Sequence, residues 1–131
     1  MGKQSYVFGS LIAAALVTSG WTATVEDLYG RWTPYNETVQ ACEPGADLGV
    51  GVTPQQLTIS LGGDAFVRRL PKEPTCTGER CDVPTGWPAK AALWHWTFKG
   101  KDVARVEGWI RDIDWPKVPD FHFSHTLKRG C

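Results

Sequence analysis

The clearest alternation of apolar and polar positions lies in the second half of the chain. Residues 91–98 read AALWHWTF. Successive side chains on a strand point to opposite faces, so Trp94, Trp96 and Phe98 share one face and Leu93, His95 and Thr97 the other. Residues 121–127, FHFSHTL, repeat the pattern. Phe121, Phe123, His125 and Leu127 fall on one side; His122, Ser124 and Thr126 fall on the other. Residues 103–110, VARVEGWI, alternate less regularly, and Gly108 there marks a bulge or a close backbone approach. In the first half, residues 56–60, QLTIS, read as a half-buried strand, and 65–70 as its hairpin partner across Gly62-Gly63-Asp64. Residues 48–52, LGVGV, form a short strand, and Gly30-Arg31-Trp32 opens another after one helical turn at 25–29. Three stretches read as irregular: 34–47, 71–88 with four prolines and both central cysteines, and 111–119. The pattern predicts an all-β fold, a small antiparallel barrel or sandwich of six to eight strands.

A leader precedes this pattern. Lys3 supplies a positive start, residues 6–17 (YVFGSLIAAALV) carry no charge, and Thr18, Ser19, Gly20, Thr22 and Ala23 lead to the first acidic residue, Glu26. That order is a secretory signal. The apolar run falls short of the roughly 20 residues of a membrane span. The expected organisation is a helical signal peptide at 1–23 and one disulfide-bonded β domain at 24–131, with cleavage after Gly20 or after Ala23. The mature domain is expected to be secreted or periplasmic, monomeric and without a membrane span.

Composition narrows the partners. Fourteen Lys and Arg balance fourteen Asp and Glu, with no basic stripe, so a nucleic-acid binder is not expected. Seven Trp give a small domain large rings from which to build a core. Four cysteines, Cys42, Cys76, Cys81 and Cys131, read in an exported chain as two disulfides. Cys76–Cys81 suits a loop staple, since CTGERC carries Gly78 for the turn, and that leaves Cys42–Cys131. Closing a loop of about 90 residues is worth about 4–5 kcal/mol in the chain-entropy model. Cys42–Cys76 with Cys81–Cys131 is the alternative, and spacing does not choose between them. A CxxxxC with two distant cysteines matches no zinc spacing.

Gly30-Arg31-Trp32, at the head of the first strand, resembles the opening of lipocalin-like barrels. The layout of residues 29–131 is also similar to small bacterial secreted proteins of lysozyme-inhibitor type. The resemblance implies an eight-stranded barrel with Trp32 plugging its closed end and the last cysteine near the C-terminus. It carries an architecture and no functional residue.

Candidate chemistry is sparse. His95, His122 and His125 offer three imidazoles, but positions three apart on a strand face opposite sides, so no metal site is expected. Ser124, His95 and Asp112 are nameable as a hydrolytic set, yet no G-x-S-x-G or HExxH frame holds them, so neither catalytic residues nor a cofactor are expected. The rings Trp94, Trp96, Phe98, Trp109, Phe121 and Phe123 either fill the interior or line a ligand cavity; filling is the expected outcome. The remaining candidate is the connection RDIDWPKVPD at 111–120, with Asp112, Asp114, Trp115 and Asp120 as binding residues. Prolines stiffen it, Trp115 is an anchor, and the aspartates steer towards a basic partner such as a lysozyme. The expectation is a non-enzymatic exported domain that binds a protein partner through rigid loops. A small-molecule binder with an aromatic-lined interior, or an envelope protein of structural role, is the alternative.

Overall fold

The computed structural model describes residues 21–43, 48–111 and 120–131. A 3-10 turn at Val25–Leu28 leads into β1 (Gly30–Asn36), β2 (Ala41–Cys42), β3 (Leu48–Val52), β4 (Gln56–Leu61) and β5 (Asp64–Arg69). Then follow β6 (Thr75–Thr77), β7 (Arg80–Pro84), a second 3-10 turn at Ala89–Ala91, β8 (Leu93–Phe98), β9 (Val103–Ile110) and β10 (Phe121–Arg129). Nine strands form one antiparallel sheet in the order β5-β4-β3-β1-β10-β9-β8-β7-β6, and β2 pairs only with β1. Apart from β2, the order is a meander in which the last strand returns to the first. The sheet curls into a half-barrel whose two edges, β5 and β6, are consecutive in sequence.

The all-β expectation holds, but strand count and closure differ from it. Ten strands replace six to eight, because two of the three stretches read as irregular contain ladder. β1 runs through Pro34 to Asn36 and pairs with β2. β6 and β7 form a tight hairpin inside 71–88, with Cys76 directly opposite Cys81. Prolines and glycines hid these short strands, since turn formers dominate a window in which only a few residues pair. The sheet is also open: no ladder joins β5 to β6 among the described residues. A side chain spans the gap at one end, where Arg68 Nε donates to the Thr85 carbonyl at 3.1 Å and its guanidinium lies 5.0 Å from the Trp87 ring centre.

Alternation places the core on the concave face. Trp32, Trp94, Trp96, Phe98 and Phe123 are buried together with Val50, Val52, Leu57, Ile59, Val106, Ile110 and Leu127. The rings touch one another: Trp32 meets Trp96 edge-on at 5.2 Å, and Trp94 lies 4.9 Å from Phe123. Gly108 makes this packing possible. A Cβ there would fall 2.5 Å from the Trp94 indole, so the ring rests on bare backbone. Of the two readings of Gly108, close approach is the one realised.

Both favoured disulfides are present. Cys76–Cys81 staples the β6–β7 hairpin, and Cys42–Cys131 ties β2 to the last residue across 89 positions. Next to that second bridge, Arg129 gathers the closing end of the sheet. Its Nη1 donates to the carbonyls of Asp27 (2.7 Å) and Tyr29 (2.9 Å), and its Nη2 to Lys101 (3.0 Å) and to the Asp102 carboxylate (2.9 Å). The guanidinium also sits 4.9 Å from the Trp32 ring centre, while Trp32 Nε1 donates to the Leu28 carbonyl at 2.9 Å. Gly30 is needed here on two counts: its φ is 126°, and a Cβ would meet Arg129 Cδ at 2.9 Å.

Candidate functional site

The outer face of β7–β10 carries the densest polar chemistry. Cross-strand register puts Asp82, His95, Glu107 and Ser124 in one row over four adjacent strands. Arg80, Thr97, Arg105 and Thr126 form the next row. Neighbouring charges pair off within this lattice. His95 Nδ1 lies 2.7 Å from Asp82 Oδ1, Arg80 reaches the same carboxylate at 3.8 Å, and Arg105 approaches Glu107 at 4.0 Å. Glu37, from the turn after β1, accepts from Lys99 at 3.0 Å and from Thr126 at 3.3 Å. The Lys99 hydrogen bond, opposed by a little desolvation, holds the Glu37 carboxyl below its ordinary value. These groups are solvent-exposed, so water and salt screen the ion pairs and the lattice is mainly a polar cover.

The row does not assemble the hydrolytic set named from sequence. Ser124 donates to Glu107 Oε2 at 3.3 Å, while His95 is engaged with Asp82. One strand separates Ser124 from His95, so serine and imidazole stand about 10 Å apart at the usual strand spacing. Asp112 lies outside the described residues. The histidines pack on rings instead: His122 lies tilted against Trp109 and His125 against Phe123. Among the described residues no group of three His, Cys, Asp or Glu is placed to hold a metal.

One sequence assignment is corrected on this face. Trp109, grouped with the interior rings, points outwards. It shares its face with exposed Arg105 and Glu107, while Ala104, Val106, Gly108 and Ile110 alternate inwards. His125 keeps the face that alternation gives it, opposite Val106 and beside Phe123, but is exposed there.

Trp109 anchors the most distinctive exterior corner. Its ring centre is 5.2 Å from His122, and Lys90 Nζ stands 3.7 Å above the ring. Its own carbonyl accepts from Trp94 Nε1 at 3.2 Å, which fixes the backbone beneath the ring. This corner is the base of the 111–120 connection, since Ile110 pairs with Phe121 at the strand ends. Asp120 is exposed at that base. Asp112, Asp114 and Trp115 lie outside the described residues. Sequence reasoning missed Lys90 because it comes from a different segment, and no spacing rule links it to Trp109.

Comparison with protein-family models, with curated proteins and with solved structures found no match. The fold and this corner therefore define the class on their own terms: a disulfide-stapled all-β half-barrel with its large rings buried together.

Proposed function

We propose that the chain is an exported, non-enzymatic, lipocalin-like domain that binds a protein partner from its exterior. The contact surface is the Lys90–Trp109–His122 corner together with the 111–120 connection. The observation that carries this reading is the packing of the interior rings on one another. Trp32, Trp94 and Trp96 are wholly withdrawn from solvent, which leaves recognition to the outside. A half-buried tryptophan beside an exposed imidazole and a lysine suits the centre of a protein contact, where aromatic side chains contribute most. The burial of Trp32 under Arg129 supports the lipocalin-like part of the reading.

Two disulfides are compatible with a place outside the reducing cytosol. Within that reading, secretion or a periplasmic site follows from the leader at the N-terminus. Of the two cleavage points, the one after Gly20 fits the packing better. Trp21 meets Phe98 edge-on at 5.3 Å, and Ala23 is buried, its N–H donating to the Gly78 carbonyl at 2.8 Å. Cleavage after Ala23 would discard both residues; cleavage after Gly20 keeps them.

The test is surface plasmon resonance of the exported, oxidised protein against a basic lysozyme. Binding should weaken with salt, and Trp109→Ala should lower affinity about tenfold or more, the usual effect of truncating a central aromatic. Affinity unchanged by Trp109→Ala and by Asp120→Asn, or no association at low salt, would refute the reading.

A further inference from the structure

The other half of the sheet carries a feature that the partner-binding reading leaves unused. On β1, β3 and β4 the side chains of Trp32, Val50, Val52, Leu57 and Ile59 are buried, so their strand neighbours face outwards. Those neighbours, Arg31, Thr33, Gly49, Gly51, Thr58 and Ser60, line a cavity of about 490 Å³. Gly49 and Gly51 form its floor. Gly51 pairs with Arg31 on one side and Thr58 on the other, and Gly49 pairs with Ser60.

Glycine inside a strand weakens it, so two in five residues need a reason. The usual structural reasons are absent. Neither residue has a positive φ, unlike Gly30 or Gly78. Pairing runs one-to-one from Leu48↔Leu61 to Val52↔Leu57, so there is no bulge. No neighbour crowds the positions either. A Cβ would stand 3.7 Å from the Trp32 carbonyl oxygen at Gly49 and 3.8 Å from Thr58 Cβ at Gly51, both ordinary contacts. Gly108, where the Trp94 ring fills the space, is the opposite case. What remains is a bare backbone floor against which a bound molecule can lie.

The walls say which molecule. Arg31 is exposed and makes no hydrogen bond or ion pair among the described residues, whereas Arg105 bonds Ser124 and Arg129 bonds four groups. A free guanidinium presents a planar fork that matches a carboxylate. Thr33, which also lines the cavity, has a hydroxyl shielded from water and without a hydrogen-bond partner among the described residues. Thr58 and Ser60 add two hydroxyls that both donate and accept. The volume lies within the range of about 300–1,000 Å³ typical of small-molecule sites.

We infer that this face binds a carboxylate-bearing sugar unit, its carboxylate on Arg31, its hydroxyls on Thr33, Thr58 and Ser60, and its ring flat on Gly49 and Gly51. The test titrates the full oxidised chain with glucuronate, glucose, acetate and inorganic phosphate, following the backbone amide resonances of Gly49 and Gly51. Glucuronate should move both resonances and bind at least tenfold more tightly than the other three. Arg31→Gln should lower glucuronate affinity at least tenfold, as loss of a charged hydrogen bond implies. Gly51→Val should abolish binding while leaving the melting temperature unchanged or raised. Glucuronate binding no tighter than acetate or phosphate would overturn the inference, as would binding that survives both substitutions. Arg31→Gln sits on an exposed side chain and keeps the test decisive if Gly51→Val does not fold. Lysozyme association should be indifferent to Arg31→Gln, so the two sites fail or stand separately.

Discussion

The two halves of the curled sheet bury their inner faces in different ways. From β7 to β10 the interior is made of rings: Trp94, Trp96, Phe98 and Phe123 interlock, and Gly108 yields its side-chain space to the Trp94 indole. In β3 and β4 the buried residues are aliphatic, Val50, Val52, Leu57 and Ile59, with the half-buried Phe66 of β5 packed beside them, and no ring crowds a glycine there. The outer faces differ correspondingly. The ring half is covered by paired charges and long side chains; the aliphatic half is left low and open over Gly49 and Gly51. The same residue type therefore marks tight packing in one half and open surface in the other, and only the atoms around it tell which.

Five substitutions sharpen that contrast. Trp96→Ala should have the largest effect, about 3–5 kcal/mol lost in denaturant unfolding, because a wholly buried ring leaves a cavity. A loss under about 1 kcal/mol would mean that the rings are not the core of that half. Next, Gly108→Ala should destabilise by about 1–3 kcal/mol through overpacking, whereas Gly51→Ala should be neutral or slightly stabilising. Equal effects of the two alanines would erase the distinction between the halves.

Arg129→Gln tests the join between them. The guanidinium holds the 3-10 turn, the β8–β9 turn and the Trp32 ring at once, so its loss should cost about 1.5–3 kcal/mol and shorten amide protection at Tyr29 and Asp102. The smallest effect belongs to Glu37 on the outer lattice. Its carboxyl is held below 4.5, its ordinary value, so the folded state favours the charged form. That contribution is present above the ordinary value and disappears as pH falls through the lower, folded value. The stability difference between wild type and Glu37→Gln, measured by thermal unfolding, should therefore be small at pH 7 and vanish in acid.

Much of the architecture was legible because strand alternation is a local property. The faces of β8 followed from Trp94, Trp96 and Phe98 against His95 and Thr97, and the Gly62-Gly63 hairpin from its turn residues. The β6–β7 hairpin was not legible, because its short strands lie among turn formers. The candidate corner was half legible: Trp109 stood out as a ring, but its outward direction depends on the phase of β9, which the irregular VARVEGWI pattern leaves ambiguous.

By itself the sequence determined that this chain folds as antiparallel strands, which side of most strands is buried, and that four cysteines can make two bridges. These follow from side-chain period and residue chemistry, both local. Tertiary structure decided that the sheet stays open between β5 and β6, that Cys42 meets Cys131, that Lys90 covers Trp109, and that Arg31 lines a cavity with two glycines. Each of these depends on how residues distant in sequence approach one another, and no local spacing encodes that approach.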